Sequence, residues 1–375
     1  MGPAQPAVLI VGAGPTGLAA ALFLARRDIA VRIIDAQPEP SSYSRALAVN
    51  SRTLELLRDT GVADRIMVEG WSVKGATVHE QGNEVLVLDL PASLGARQAM
   101  TVLPQARTEA LLADALQAQG VAVERGVLCR SVTQDASEVT AVLSHGEGRH
   151  EQVHCALLFA ADGARSVTRH ALGLGFDGSS LPEPWMLWDI EMQTPLDRWR
   201  AHLLFEPDGF VFVLRLAGEV WRVIGNGADP LAAMRRYATL GSTSWHSQFH
   251  IAHRVAAKAA EGRVALGGDA AHVHSPIGAR GMNLGIEDAY VYADCAADAL
   301  AGDLSRLHEY ATLRHAVHVS VVRRIGAATR LVHGRPQWLR WVRDEVVPVA
   351  GHLGFVRQLM MRTVGGLDHQ VKTHA

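Results

Sequence analysis

The run Val8–Ala25, VLIVGAGPTGLAAALFLA, leaves a chain few ways to fold. Apolar residues from Val8 to Val11 stop at Gly12, and an Ala/Leu pattern resumes at Leu18. This predicts a buried strand, a tight turn and a helix. The glycines divide the work among them. Gly12 makes the turn, Gly14 lets backbone approach a pyrophosphate, and Gly17 lets the helix pack close to the strand. Pro15 and Thr16 sit among them at the helix start, where free N–H groups and the helix dipole favour negative charge. A second predicted strand, Val31 to Ile34, ends in Asp35. A carboxylate there suits hydrogen bonds to an adenosine ribose and repels a 2′-phosphate. Strand, GxGxxG, helix, strand and acid in this order predict a bound dinucleotide, FAD or NAD.

The chain's 375 residues suffice for two domains. A net charge of −2, with no lysine/arginine block, gives no footprint for nucleic acid. Cys129, Cys155 and Cys295 are odd in number and far apart, which argues against a disulfide framework and fits a reducing cytoplasm. The N-terminal apolar run lacks a basic flank and is broken by glycines and Pro15, so neither a signal peptide nor a transmembrane segment is expected.

After Asp35 a polar loop holds Arg45. SRTLELLRDTG predicts a helix with Ser51 as cap and Gly61 as stop. Trp71–Leu90 turns to short strand-like runs, and Leu103–Gly120 to a helix with Pro104 near its start. Further strands lead to ALLFAADGARS, where a strand enters Asp162-Gly163 and a helix begins near Ser166. From Leu181 to about Glu261 tryptophans and β-formers predict a mostly antiparallel sheet. GRVALGGDAAHVHSPIGARGMNLGIEDA then returns to strand, glycine loop and long helix. From about Ser305 the chain reads as helical, with Pro336 and Pro348 as breaks.

The expected fold class is α/β. A Rossmann-like nucleotide-binding domain (residues 1–70, 101–180 and 262–300) is interrupted by a mostly antiparallel sheet domain (71–100 and 181–261) and followed by C-terminal helices (301–375).

In the third motif, Gly267 and Gly268 permit a tight backbone and Asp269 stands where a polyol would be held. Pro276 to Gly281 form a loop leading into a helix near Met282 and Asn283, whose first amides suit an anion. GAGPTG, then DGARS, then GDAAHVHSPIGARGMNLGIEDA, in this order and at these separations, resemble the single-component flavoprotein aromatic hydroxylases of the p-hydroxybenzoate hydroxylase class. SRALAVNSRTLELLRDTG, LPQARTEALLADAL and FHIAHRVAAKAAEGRVALGGDAAH are similar to the branch acting on phenols and polyketide-type aromatics. The likeness covers Val8 to about Leu300.

The resemblance implies FAD in the first domain, with Gly12, Gly14 and Gly17 on the pyrophosphate and Asp35 on the ribose. Arg45, Gln105 and Arg107 then lie around the phosphates and ribityl chain. Asp162 and Gly163 form the motif implicated in FAD and NAD(P)H contact. Gly268 is a further cofactor-binding residue, Asp269 would hold the ribityl chain, and Pro276, Gly281, Met282 and Asn283 would lie beside the isoalloxazine. The implied chemistry runs in two halves: NADH or NADPH reduces the flavin, then O2 gives a C4a-hydroperoxide that hydroxylates an electron-rich ring. The implied partners are a small aromatic substrate and O2, and the protein is a monomer or homodimer. Rival activities on this scaffold are a halogenase, an oxidase or a prenyl-lipid reductase; a non-catalytic FAD-binding regulator is the rival from another class.

The family commonly reads G-G-Q-G-M-N, whereas this chain reads Gly278-Ala279-Arg280-Gly281-Met282-Asn283. Arg280 is therefore expected to bind an anionic substrate group or to modulate the flavin's charge. With the sequence ending soon after the helical segment, the extra thioredoxin-like domain of some phenol hydroxylase relatives is not expected.

A second GxGxxG, at Gly173, Gly175 and Gly178, follows a helix instead of a strand and reads as a loop. The eighteen histidines invite a metal reading. His272 and His274 adjoin the third motif, but hydrogen-bonded or surface roles are expected for them, and no metal. The substrate pocket is expected where the second sheet faces the flavin, with Trp188, His202, Phe212 and Trp221 as contacts. No catalytic base stands out.

Overall fold

The computed structural model describes residues 5–41, 46–90, 100–207 and 209–374, the side chain of Glu147 excepted. Strand β1 (Val8–Val11) enters helix α1 (Pro15–Ala25), and β2 (Val31–Asp35) follows. Helix α1 is buried from Thr16 to Leu24, so it needs no polar face and its sequence has none. Next come β3 (Ala48–Val49), α2 (Ser51–Leu56), α3 (Val62–Glu69), β4 (Trp71–Val73), β5 (Gly75–Glu80), β6 (Asn83–Asp89) and β7 (Met100–Val102). The cap of α2 is Asn50, not the expected Ser51: the Asn50 side chain accepts from Thr53 N at 3.0 Å, and Ser51 is already helical.

Helix α4 (Gln105–Gln117) precedes β8 (Val123–Arg125), β9 (Leu128–Gln134), β10 (Val139–Ser144), β11 (His150–Cys155) and β12 (Leu157–Ala160). Helix α5 (Val167–Ala171) is capped by Ser166. The long strand β13 (Phe176–Gln193) leads to β14 (Arg200–Glu206), β15 (Gly209–Ala217), β16 (Val220–Gly225), α6 (Pro230–Met234) and β17 (Thr239–Ala256). Strands β18 (Ala260–Glu261), β19 (Val264–Leu266) and β20 (His272–Val273) precede α7 (Gly281–Leu300) and α8 (Ser305–His333). The chain closes with α9 (Gln337–Trp341), a π turn (Val342–Val346), α10 (Val347–Gly351) and α11 (Gly354–Val364). Pro348, expected as a helix break, sits in the first turn of α10, where its missing N–H costs nothing.

One sheet has the order β18-β19-β12-β1-β2-β8, with β19, β12, β1, β2 and β8 mutually parallel. A second sheet has the order β20-β17-β13-β16-β15-β14-β5-β6, antiparallel except where β14 pairs with β5. The Gly173–Gly178 repeat ends a helix and enters β13. A Cβ on Gly178 would lie 1.9 Å from His253 O, so this glycine serves a close strand crossing and not a phosphate.

The two faces of the second sheet are covered differently. Trp185, Leu187, Phe210, Leu214, Ile224, Phe249 and Ile251 share a core with Leu47, Val102, Ile277, Ala279 and Met361. Ile190, Met192, Leu204, Val211, Val213, Trp221 and Val223 face the other way, onto Ala233 and Met234 of α6. Among the described residues no helix is long and apolar enough to cross a membrane.

Candidate functional site at the strand ends

The three motifs meet at the carboxyl ends of the parallel strands, the edge where open α/β sheets take ligands. Gly12 has φ +102°, and a Cβ there would lie 2.2 Å from Ala161 O, beside Asp162. A Cβ on Gly17 would lie 1.9 Å from Gly12 O, so α1 can sit on the turn only with glycine at this position. Gly14 and Gly163 (φ +78°) face open space, with no atom within 4 Å of their Cβ positions. Gly14 caps α1 without a side-chain hydrogen bond, and the first turn carries no acid. An uncapped helix start beside open space fits a pyrophosphate, whose oxygens would take the N–H groups no side chain satisfies.

Thr16 ties the first motif to the third. Cβ atoms on Gly268 and Gly285 would lie 2.5 and 2.1 Å from Thr16 Oγ1, so α1, the Gly268 turn and α7 close on one hydroxyl. The second motif joins through Arg169, fully enclosed, which donates to Ala270 O at 3.0 Å and Ala164 O at 2.9 Å and lies 3.9 Å from the Phe176 ring. Asp162 Oδ2 accepts from Thr168 N at 3.1 Å, and its buried Oδ1 has no protein partner. A buried carboxylate oxygen left over at the strand end is a further acceptor for a polyol or an amide.

Asp35 closes the turn as well as β2. It accepts from Ala13 N at 2.6 Å and from Gln37 N at 2.8 Å. Gln105 opens α4 and donates to Glu109 at 2.8 Å, where burial holds the Glu109 carboxyl above its ordinary value. Arg107 is half-buried and forks onto Glu69 of α3, with one bond of 2.8 Å. Asp269 is exposed at the Gly268 turn. Arg45 lies outside the described residues.

The loop Pro276–Arg280 reverses direction through Gly278 (φ +78°) and Ala279 (φ +52°). Ala279 thus holds a left-handed conformation at a position where glycine would carry no strain. Asn283, fully buried, fastens this loop: it donates to Ala279 O at 2.6 Å and Ala48 O at 2.9 Å and accepts from Asn50 N at 3.0 Å. The same Asn50 caps α2. Gly281 and Met282 start α7 immediately beside it.

Arg280 does not face an incoming anion. It is 0% exposed, and its charge is met inside the protein by Glu287 at 3.5 Å and Asp368 at 3.4 Å. The expected role in binding an anionic substrate group has no surface to act from.

Of the four expected substrate contacts, Phe212 lies on the sheet face that meets the Ile277–Ala279 loop. Trp188 and Trp221 pack on the opposite face, against α6. His202 points the same way as Trp221, with ring centroids 6.4 Å apart, and bonds to His79 at 3.0 Å and Asp197 O at 2.9 Å. Burial pushes His79 down to about 4 and lowers His202. The loop-facing side instead carries Trp185, Phe210 and Phe249, with a buried Arg222–Asp189 fork at 2.7 Å lying 5.1 Å from the Trp245 ring. Strand alternation was the available signal: Trp185 and Trp188 are separated by an odd step and must face opposite ways.

Beneath the third motif lies a polar network that sequence reasoning missed. Asp288 of α7 accepts from Gly268 N at 3.0 Å, His272 at 2.9 Å, Arg314 at 2.7 Å and His318 at 2.7 Å, all buried. His272, Asp288 and His318 approach within metal-ligand spacing. Arg314 donating into the same carboxylate puts a fixed positive charge where an ion would sit, so the group reads as a hydrogen-bonded network. Burial alone would push Asp288 up, but His318, Arg314 and His272 hold it well below the ordinary carboxylate range. Burial pushes His318 to about 4 and His274 to about 3. His318 and His274 hold a proton less readily folded than unfolded, so their contribution is present above about pH 6.5 and is lost as pH falls toward 4. Thermal denaturation from about pH 8 to about pH 4.5 is expected to show a midpoint that holds above about 6.5 and falls below it; a flat profile would contradict the assignment.

The family described as "FAD binding domain" matches residues 5–220 and 228–325. The 6-methylpretetramide 4-monooxygenase of Streptomyces rimosus is 35% identical over 373 residues, covering 93% of this chain and 65% of that protein. The pentachlorophenol 4-monooxygenase of Sphingobium chlorophenolicum is 32% identical over 308 residues, covering 76% of this chain and 57% of that protein. The chain therefore spans somewhat under two thirds of the length of these curated relatives. Among solved structures, the OxyS anhydrotetracycline hydroxylase from Streptomyces rimosus superposes with a TM-score of 0.82 at 26% identity, covering 98% of this chain and 77% of that one.

Proposed function

The chain belongs to the FAD-binding-domain family, and from that membership we propose that it is a monooxygenase that uses NAD(P)H and O2 to hydroxylate an electron-rich aromatic compound. The observation that carries the reading is the convergence of the three motifs on Thr16, Arg169 and Asn283 at one edge of the parallel sheet, beside an aromatic-rich face of the second sheet. The relatives named above act, by their names, on 6-methylpretetramide and pentachlorophenol, which supports an aromatic substrate here.

FAD supplies the redox chemistry when bound. The pyrophosphate would be held by the α1 start with Gly12, Gly14 and Gly17, and the ribose by Asp35. Asp162 and Asp269 would hold the ribityl chain, and the loop from Pro276 to Asn283 the ring edge. The chain's own contribution is positional. Asn283 fixes the loop against Ala48, and α7 presents its first amides there. Phe212 and Trp245 are half-buried aromatic rings on that face and would orient a flat substrate, and Trp185, Phe210 and Phe249 are buried behind them as its apolar backing. The Arg222–Asp189 fork is a buried polar pair on that face.

The reading is tested by reconstituting the purified protein with FAD and screening phenols and fused-ring aromatics for stimulated NAD(P)H oxidation. At least one aromatic is expected to accelerate oxidation severalfold. FAD binding with no response to any aromatic would favour the non-catalytic alternative.

A further inference from the structure

Arg280 is fully buried and takes no part in the proposed reaction. Its guanidinium reaches away from the loop to the segment after α11. Besides the Glu287 and Asp368 pairs, a Cβ on Gly366 would lie 2.5 Å from Arg280 Nη1. That segment is fastened along its length. Gly365 O accepts from Arg52 N at 3.3 Å, Asp368 pairs with Arg324 of α8 at 2.9 Å, and His369 bonds to Glu287 of α7 at 2.7 Å. Farther on, Thr373 O accepts from Arg306 at 2.8 Å, and Val371 packs on the core around α1. Residues 365–373 therefore form a strap over the starts of α2 and α7 and over α8.

Other buried arginines grip their carboxylates at hydrogen-bond distance: Arg222 to Asp189 and Arg314 to Asp288, both at 2.7 Å. Arg280 does not. All three of its nitrogens lack a hydrogen-bond partner, and it lies between Glu287 and Asp368 at 3.5 and 3.4 Å. It is held by charge from two sides, one on its own helix and one on the strap. The backbone just before it is the left-handed Ala279, a conformation that persists only when its surroundings impose it.

We propose that Arg280 is a positioning residue that couples the flavin-facing loop, residues 276–281, to the strap, residues 365–369, so that the strap sets the loop's geometry. The coupling itself is a property of the chain; its effect on flavin rests on the FAD reading. Burial works against ionisation of Glu287 and Asp368, yet His369 and Arg280 hold both below the ordinary carboxylate range, so the charged forms that the coupling needs are the native ones.

The test is amide hydrogen exchange on the full chain, with and without FAD, in wild type, Arg280→Gln, Arg280→Lys and Asp368→Asn. In Arg280→Gln, exchange is expected to rise about tenfold in both 276–285 and 365–370, and the absorbance maxima of bound FAD to shift. Arg280→Lys, which keeps the charge, is expected to restore both partly. Asp368→Asn is expected to loosen the loop from the strap side. If Arg280→Gln does not fold, the Asp368→Asn and Arg280→Lys pair decides the matter by the same two segments. Loop exchange unchanged in Asp368→Asn, or strap exchange unchanged in a folded Arg280→Gln, overturns the proposal. Coupled exchange in a wild type that binds no FAD would leave the coupling standing and overturn the flavin reading instead.

Discussion

Gly17→Ala and Gly14→Ala are both expected to abolish FAD binding, and only the first to weaken the fold. The methyl added at Gly17 would have to occupy a point 1.9 Å from Gly12 O, a distance no carbon and carbonyl oxygen tolerate. Helix α1 must then lift from the turn, but Thr16 pins its start between Gly268 and Gly285. The strain therefore spreads into α7 and the Gly268 turn, with an expected overpacking cost of about 1–3 kcal/mol. At Gly14 the methyl enters open space, so the fold has no reason to object, and the methyl stands where a pyrophosphate would approach. Urea unfolding and FAD titration of the two variants separate the effects. Equal loss of stability in both variants would contradict the assignment.

The largest effect on stability is expected at Asp288. Its carboxylate takes hydrogen bonds from Gly268, His272, Arg314 and His318 inside a closed core. Asp288→Asn turns an acceptor toward these donors into a donor and leaves the enclosed Arg314 with a single remaining carboxylate neighbour, Glu287 at 3.6 Å. Removing one partner of a buried charge cluster costs about 3–5 kcal/mol, a large share of an ordinary domain's stability. Because Gly268 N is one of the donors, FAD affinity is expected to fall with stability. Urea denaturation of wild type and Asp288→Asn, with and without FAD, checks both. A loss below about 1 kcal/mol would mean that the network is dispensable.

Local chemistry was legible in the sequence and long-range pairing was not. The turn at Gly12, the helix after it and the strand ending in Asp35 depend on neighbours in the chain, so period and glycine spacing disclose them. The cap of α2 falls on Asn50, one residue before the expected Ser51, because asparagine and serine are both good caps and the choice is made by Asn283 from another helix. Trp188 and Trp221 lie away from the expected substrate face because a strand's sequence shows which residues share a face, not which face is covered by α6. Arg280 reads as a ligand contact in the sequence because its partner Asp368 is distant in the chain. Asp288, Arg314 and His318 come together only when α7 and α8 pack side by side, and no spacing rule announces that.

The central claim is that the face carrying Phe212 and Phe249 presents an aromatic ring to the FAD held at the three-motif edge. Its most direct test is turnover under 18O2 with NAD(P)H and the aromatic that most stimulates oxidation, followed by mass spectrometry of the product. A product heavier by one 18O atom, formed in step with NAD(P)H consumption, is the predicted result. Recovery of all the label as hydrogen peroxide with every aromatic offered, or a product changed by a halogen or by two hydrogens, would contradict it.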